Sequence, residues 1–199
     1  MNDERLWAPW RMEYVSAGGA KGADAEQFVE PTAWRDGADR GCFLCRAAAS
    51  YEAKAVQDRR LLVIERGDQA FALLNRYPYN NGHALVAPLR HVGEFEELSS
   101  AEHAECIALI GRLIRVFRGR MNADGFNVGL NLGAAAGAGV PGHLHWHVVP
   151  RWSGDHNFMP VVGSTRVIPQ SLEAVWELIT DDLRSAHGHA KAPLKTSVI

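Results

Sequence analysis

Three histidines alternate along one short apolar run, His143-Leu144-His145-Trp146-His147-Val148-Val149, and this pattern constrains the fold more than any other in the chain. Successive side chains of a β-strand point to opposite faces, so a strand here puts the three imidazoles on one face and Leu144, Trp146 and Val148 on the other. The rings are then spaced about 6.6 Å apart. A helix would scatter the same residues around its circumference. The preceding run, Leu132-Gly133-Ala134-Ala135-Ala136-Gly137-Ala138-Gly139-Val140-Pro141-Gly142, combines glycines with other small residues. Such a loop lets backbone N–H groups approach a ligand closely, and amides beside imidazoles suit a phosphate. His-x-His on a strand also presents two neutral nitrogens to a metal. Nucleophilic catalysis and metal binding therefore both stand as readings of the row.

Hydrophobic residues make up 47% of 199 positions, enough for one core with extensions. We read 1–40 as an N-terminal extension and linker, 41–165 as the catalytic domain, and 166–199 as a C-terminal helix and loose tail. A net charge of −2 argues against nucleic acid as a bulk electrostatic partner. The sequence contains no long apolar run and opens on Met1-Asn2-Asp3-Glu4-Arg5, so we expect neither a membrane span nor a signal peptide, and a cytoplasmic location.

Leu6 to Val15 is aromatic and is read as a docking segment, and Ser16 to Ala25 as a flexible connection. Leu61–Glu65 and Ala70–Leu74 flank Arg66-Gly67-Asp68-Gln69 as a hairpin, with His83–Pro88 as a third strand. Between them, Asn75 to Gly82 has the Pro, Asn and Gly content of an irregular loop. Ser99 and Glu102 form a capping box, followed by Cys106, Ile107, Ile110, Leu113, Ile114 and Phe117 at helical spacing. Arg112, Arg115 and Arg118 are read as the solvated side, and Cys106 as a small core residue. Phe126–Leu132 is a fourth strand, the histidine run a fifth, and Gln170–Arg184 a last helix. The tail histidines His187 and His189 receive no role, and His156 beside Asp155 reads as a surface pair.

Cys42-Phe43-Leu44-Cys45 has zinc-knuckle spacing, but one such pair supplies only two ligands. A redox dithiol, a bound zinc and a plain buried pair are all compatible with the spacing. His91 and His143 are available to complete a Cys2His2 set, and four protein ligands would make the zinc structural.

Together these segments resemble the histidine-triad family, whose His-x-His-x-His motif followed by two apolar residues is matched by His143 to Val149. The likeness includes Phe71 to Arg76, Gly82 to Arg90 and Phe126 to Gly133. Within the family the chain is similar to bacterial diadenosine tetraphosphate phosphorylases, through Leu6 to Tyr14, the Asn75 to His83 loop, and Pro150 to Asp155 leading to Asn157-Phe158-Met159-Pro160. The resemblance implies an α+β fold, a five-stranded antiparallel sheet with helices, assembled as a homodimer or higher homo-oligomer. It implies cleavage of an adenine dinucleotide polyphosphate with inorganic phosphate as acceptor and no catalytic cofactor. Hydrolysis of the same compounds or of nucleoside phosphoramidates, and a nucleotide-binding module without turnover, remain as alternatives.

By the same resemblance His145 matches the nucleophile that forms a covalent nucleotidyl-histidine. His147 matches the residue that contacts phosphate and assists the leaving group. His143 matches a supporting position that orients the nucleophile or ligates structural zinc, with Cys42, Cys45 and His91 as the other ligands. Asn75, Asn131 and Gly139 match nucleotide-binding positions, and Trp152 a base-stacking one. An imidazole attacks phosphorus only through an unprotonated nitrogen, so the other ring nitrogen of His145 should donate to an acceptor such as a carbonyl. Many hydrolytic relatives carry Gln, then Ser or Thr, before the triad, whereas this chain has Ala138-Gly139-Val140-Pro141. That leaves less to hold a water and more room for a larger acceptor, which favours phosphorolysis.

Overall fold

A computed structural model of the chain describes residues 29–155 and 168–188. The aromatic N-terminal segment, the small-residue connection after it, His156, the Asn157–Pro160 stretch and His189 lie outside the described residues. Two short helices come first, α1 (Phe43–Ala48) and α2 (Lys54–Arg60), followed by β1 (Val63–Arg66), β2 (Ala70–Leu74), β3 (Ala84–Pro88), α3 (Ser100–Met121), β4 (Gly125–Leu130), β5 (Trp146–Arg151) and α4 (Leu172–Gly188). The five strands form one antiparallel sheet in the order β1-β2-β3-β5-β4. This is the α+β architecture expected from the sequence.

The hairpin forms where the alternation placed it, and its turn is held from outside. The Glu105 carboxylate on α3 accepts from the backbone N–H groups of Asp68 (3.0 Å), Gln69 and Ala70 (2.9 Å). α3 starts on the expected capping box: Ser99 Oγ accepts from Glu102 N at 3.2 Å, and Glu102 Oε2 accepts from Ser99 N at 2.8 Å. Such a cap stabilises a helix by about 1 kcal/mol. Arg90 pairs with the same carboxylate and, as the leading cause, holds its pKa below the ordinary range. The helix ends where Asn122 turns left-handed, a conformation Asn tolerates better than most residues.

The sheet separates two apolar layers. On one face Ala70, Ala72, Leu74, Ala84, Val86, Leu144, Trp146 and Val148 pack against Leu109, Leu113 and Phe117 of α3 and Val175, Trp176 and Ile179 of α4. Alanines in β2 and β3 allow α3 to lie close. On the other face Phe71, Leu73, Leu85 and Ala87 pack against Leu44, Cys42 and Cys45 around α1. This second layer carries the histidine side of the sheet, because Leu85 pairs with His147 across β3 and β5.

Four features of the helices differ from the sequence reading. α1 and α2 have no counterpart in it. The last helix runs on to Gly188, so position 187 is helical and not tail. Ile107 is 59% exposed, although its spacing puts it beside the buried stripe of α3. The arginine side of α3 is also less bare than expected, since Arg112 pairs with Glu65 at 2.9 Å and the Arg118 guanidinium lies 5.5 Å from the Phe126 ring centroid.

Candidate active site and metal centre

The histidine run is not all strand. β5 begins only at Trp146, so His143, Leu144 and His145 precede the ladder, although their alternation of faces continues. The reason is local. β4 ends at Leu130, opposite Trp146, while Leu144 N donates to Val92 O at 2.8 Å and His143 N to Val140 O at 3.2 Å. These bonds draw the start of the run towards the His91 segment and away from β4. The imidazoles consequently divide between two adjoining centres.

In the first, His143 is fully buried, with Nε2 2.9 Å from the carbonyl oxygen of Pro88. A carbonyl only accepts, so Nε2 carries the proton and Nδ1 is the basic nitrogen. That Nδ1 lies 3.5 Å from both Cys42 Sγ and Cys45 Sγ, and His91 Nδ1 lies 3.1 Å from Cys45 Sγ. The four ligand atoms all fall within 4.8 Å of one another. Tetrahedral coordination by two thiolates and two imidazoles puts ligand atoms about 3.3–3.8 Å apart, so this donor set fits a divalent ion with sulfur and nitrogen preference. The Pro88 carbonyl is the kind of outer partner that orients a ligating imidazole. Between the sulfurs, the hydrogen bond with Cys45 is the main force that pushes the Cys42 thiol down to about 4, while the same bond pushes Cys45 up. A metal held by both sulfurs would take each as a thiolate.

In the second centre His145 is buried, and its Nδ1 donates to the carbonyl oxygen of His143 at 2.8 Å. Burial lowers its pKa, partly opposed by that backbone bond, so the ring is neutral with Nε2 basic. His147, half-buried on β5, has its ring centroid 5.1 Å from that of His145. Its Nδ1 lies 2.9 Å from Nε2 of His83. His83 is only 1% exposed, and burial first, then the neighbouring His147 and His145, pushes its pKa down to about 3. The sequence reading gives His83 no role. Its signal lies in strand parity, because His83 shares the face of Leu85, and Leu85 pairs with His147.

Asn75 is brought to this cluster, with Nδ2 3.3 Å from His83 Nδ1 and Oδ1 accepting from Tyr77 N at 3.0 Å. Asn131 lies one residue beyond the last β4–β5 pair, Leu130 with Trp146. The small-residue loop crosses the same side. Gly133 and Gly137 adopt positive φ on either side of a single 3-10 turn, Ala134–Ala136, and Gly139 lies in the exposed stretch that follows. The loop is anchored by Val140 on the α1-side core and by the close approach of Gly142 to the His91 ring. Trp152 is not brought to the imidazoles. Its ring packs on the α3-side core and its Nε1 donates to Met121 O at 2.9 Å. The parity of β5 puts Trp146, Val148 and the following Trp152 on the side away from His147.

A basic imidazole nitrogen, a second imidazole and a glycine-rich loop on one face of a five-stranded sheet define a nucleotide-handling protein of the histidine-triad kind. The comparisons agree. A family model described as HIT domain matches residues 57–154. The chain is 40% identical to a protein named AP-4-A phosphorylase from Mycobacterium tuberculosis over 179 residues, which is 90% of this chain and 84% of the relative. A zinc-bound histidine triad family protein from Mycobacterium smegmatis superposes with a TM-score of 0.52 at 26% identity, covering 64% of this chain and 86% of the other. A hypothetical histidine triad nucleotide-binding protein from Sulfolobus tokodaii gives 0.53 at 25% identity, covering 66% and 90%. The chain belongs to the HIT domain family. Among the described residues no helix is long and apolar enough to cross a membrane.

Proposed function

We propose that this chain is a nucleotidyl transferase that cleaves diadenosine tetraphosphate with inorganic phosphate, through a covalent intermediate on His145. One observation carries the reading: the His143 carbonyl holds the proton of His145 on Nδ1, which makes Nε2 the nucleophile. The name of the mycobacterial relative supplies the substrate. In the first step the Nε2 lone pair attacks an α-phosphorus, an N–P bond forms, and the P–O bond breaks with its electrons leaving on ATP. In the second step a phosphate oxygen attacks the same phosphorus, the N–P bond breaks, and ADP is released with His145 restored. His147 and the amides of the loop around Gly139 face the negative oxygens, with Asn75 and Asn131 as nucleotide contacts.

Structural zinc is the ion we assign to Cys42, Cys45, His91 and His143. The support is the sulfur and nitrogen donor set and the zinc-bound relative. Zinc there supplies a rigid cross-link between α1 and the segment that carries His145, with no open position for chemistry. We assign the chain to a homodimer joined along β4, because among the described residues β4 pairs only with β5 and its Val128 is 45% exposed. Sedimentation of the parent and of Val128→Lys at equal concentration tests this, with a monomeric parent refuting it.

The activity is tested by product analysis of diadenosine tetraphosphate, with and without inorganic phosphate and without added metal. ATP plus ADP that depends on phosphate is the expected result. ATP plus AMP regardless of phosphate would make water the acceptor and the chain a hydrolase.

A further inference from the structure

The segment that follows β3 and the end of the small-residue loop lie against each other over several residues. His143 Nε2 donates to the carbonyl oxygen of Pro88 at 2.9 Å, and Leu144 N donates to Val92 O at 2.8 Å. Between those two bonds a Cβ built on Gly142 would stand 3.2 Å from Nε2 of His91, and one built on Gly93 would stand 2.8 Å from Pro141 O. Each segment supplies one imidazole to the metal set, His91 from the first and His143 from the second. The body of the loop is open by comparison. Nothing lies within 4 Å of a Cβ built on Gly133 or Gly137. The loop is thus loosely surrounded where it is read as receiving phosphate and closely packed where it meets the metal set.

The two imidazoles differ in what steadies them. A ring that binds a metal through one nitrogen is usually held by a hydrogen bond at the other, and His143 has that bond in the Pro88 carbonyl. His91 turns Nδ1 to Cys45 Sγ at 3.1 Å, while the described residues give its Nε2 no hydrogen bond and Gly142 packs there instead. Contact with the loop therefore does for His91 what a carbonyl does for His143.

We propose that the loop end is the outer support of the metal set, so that metal and nucleotide phosphate bind with positive cooperativity. A phosphate that orders the loop holds Gly142 against His91 and tightens the grip on the metal. By linkage the metal tightens the grip on the phosphate by the same factor. The proposed function enters only in the choice of phosphate as the ligand of the loop. The contact between Gly142 and His91 is independent of it.

The zinc Kd, measured by equilibrium competition with a chromogenic chelator, reads this coupling without turnover. AMP is expected to lower that Kd by about fivefold, the low end of ordinary coupling between sites, and adenosine, which lacks the phosphate, to leave it unchanged. Gly142 lies outside the left-handed region, so Gly142→Ala is tolerated by the backbone and its methyl group wedges against the His91 ring. The variant should bind zinc about tenfold more weakly, the low end for loss of a ligand's outer partner. Its AMP effect should shrink below about twofold. Gly111→Ala, in open space on α3, should match the parent in both. A parental zinc Kd in folded Gly142→Ala would overturn the proposal. So would AMP that binds, by calorimetry, without changing the zinc Kd of the parent. An AMP effect that survives undiminished in Gly142→Ala would assign the coupling to folding as a whole and equally overturn the route through His91. The expected coupling with no nucleotidyl-His145 by intact mass would leave the cooperativity standing and refute the transfer reaction.

Discussion

The carbonyl oxygen of His143 lies 2.8 Å from Nδ1 of His145, while the His143 ring turns its own Nδ1 to the sulfurs of Cys42 and Cys45. One residue thereby joins a metal-binding set to the nucleophile through its backbone. The consequence for His145 is a fixed tautomer in a buried, neutral ring, which is the state required for attack on phosphorus.

Replacing that nucleophile should separate chemistry from folding. His145→Ala is expected to lower turnover by roughly 10⁴-fold or more, the scale of losing a covalent nucleophile. Intact mass after rapid mixing with diadenosine tetraphosphate should show no nucleotide adduct, whereas the parent shows one of AMP mass. Thermal unfolding of the variant should remain cooperative. Turnover within tenfold of the parent would remove His145 from the mechanism.

The Cys42→Ser/Cys45→Ser variant should lose the metal and a part of the stability. We expect zinc near one equivalent in the parent and none in the variant by elemental analysis. The unfolding free energy should drop by about 3 kcal/mol, since loss of a structural metal belongs to the large-effect class of changes. For a chain of this size that corresponds to a melting shift of roughly 6–12 °C. A parent without zinc that melts at the same temperature as the variant would show the cluster to be a packed thiol pair.

Acid should destabilise the fold through His83. Its folded pKa is pushed down to about 3, mainly by burial, below the value of an unfolded histidine. The unfolded chain therefore binds a proton that the native one does not, and stability rises with pH across that window. The contribution is fully present above about pH 6.5 and is lost progressively as pH falls towards 3. A proton bound by the unfolded chain alone costs the fold about 1.4 kcal/mol for each pH step, so the loss across the window amounts to several kcal/mol. Urea midpoints of the parent and His83→Gln at pH 7.5 and pH 5 check the sign, because the variant should show the smaller drop. Equal drops would show that other groups govern acid unfolding.

Much of this arrangement is legible in the sequence because its signals are local. The Ser99 and Glu102 capping box, the hairpin around Gly67 and the alternation from Trp146 onward each depend on neighbours a few residues away. What escapes depends on tertiary placement. The residues of α1 and α2 have little periodic pattern over so few turns; α1 is held by the core against β2 and β3, and α2 lies against β1. The early part of the histidine run leaves the ladder because Val92 and Val140 capture its backbone, which no strand pattern records. Ile107 keeps helical spacing yet faces outward, since α3 buries a narrower stripe than its apolar residues allow. His83 looks like an ordinary histidine at a strand start until the β3–β5 register sets it beside His147. Trp152 follows the histidine run closely in sequence but belongs to the opposite face.

Gly93 links the metal set to the glycine-rich loop, and two glycine substitutions of opposite sign should expose that link. A Cβ at Gly93 would stand 2.8 Å from the carbonyl oxygen of Pro141 and 3.2 Å from Cα of Gly142, both backbone atoms that cannot swing aside. Gly93→Ala must therefore move either the His91 segment or the end of the loop, at a cost of about 1–3 kcal/mol for an overpacked contact. Because Gly142 adjoins His143 and the loop carries Gly139, the displacement reaches the phosphate side of the site. We expect KM for diadenosine tetraphosphate to rise by about fivefold or more, the scale of a lost binding contact of about 1 kcal/mol. Gly111, on α3, has nothing within 4 Å of a built Cβ, so Gly111→Ala should stabilise the protein by up to about 1 kcal/mol through helix propensity and leave kinetics unchanged. Urea midpoints and steady-state kinetics of both variants decide the matter. If Gly93→Ala is as stable as the parent and binds substrate as well, the loop is not braced against the His91 segment, and its position has to be set from the α1 side through Val140 alone.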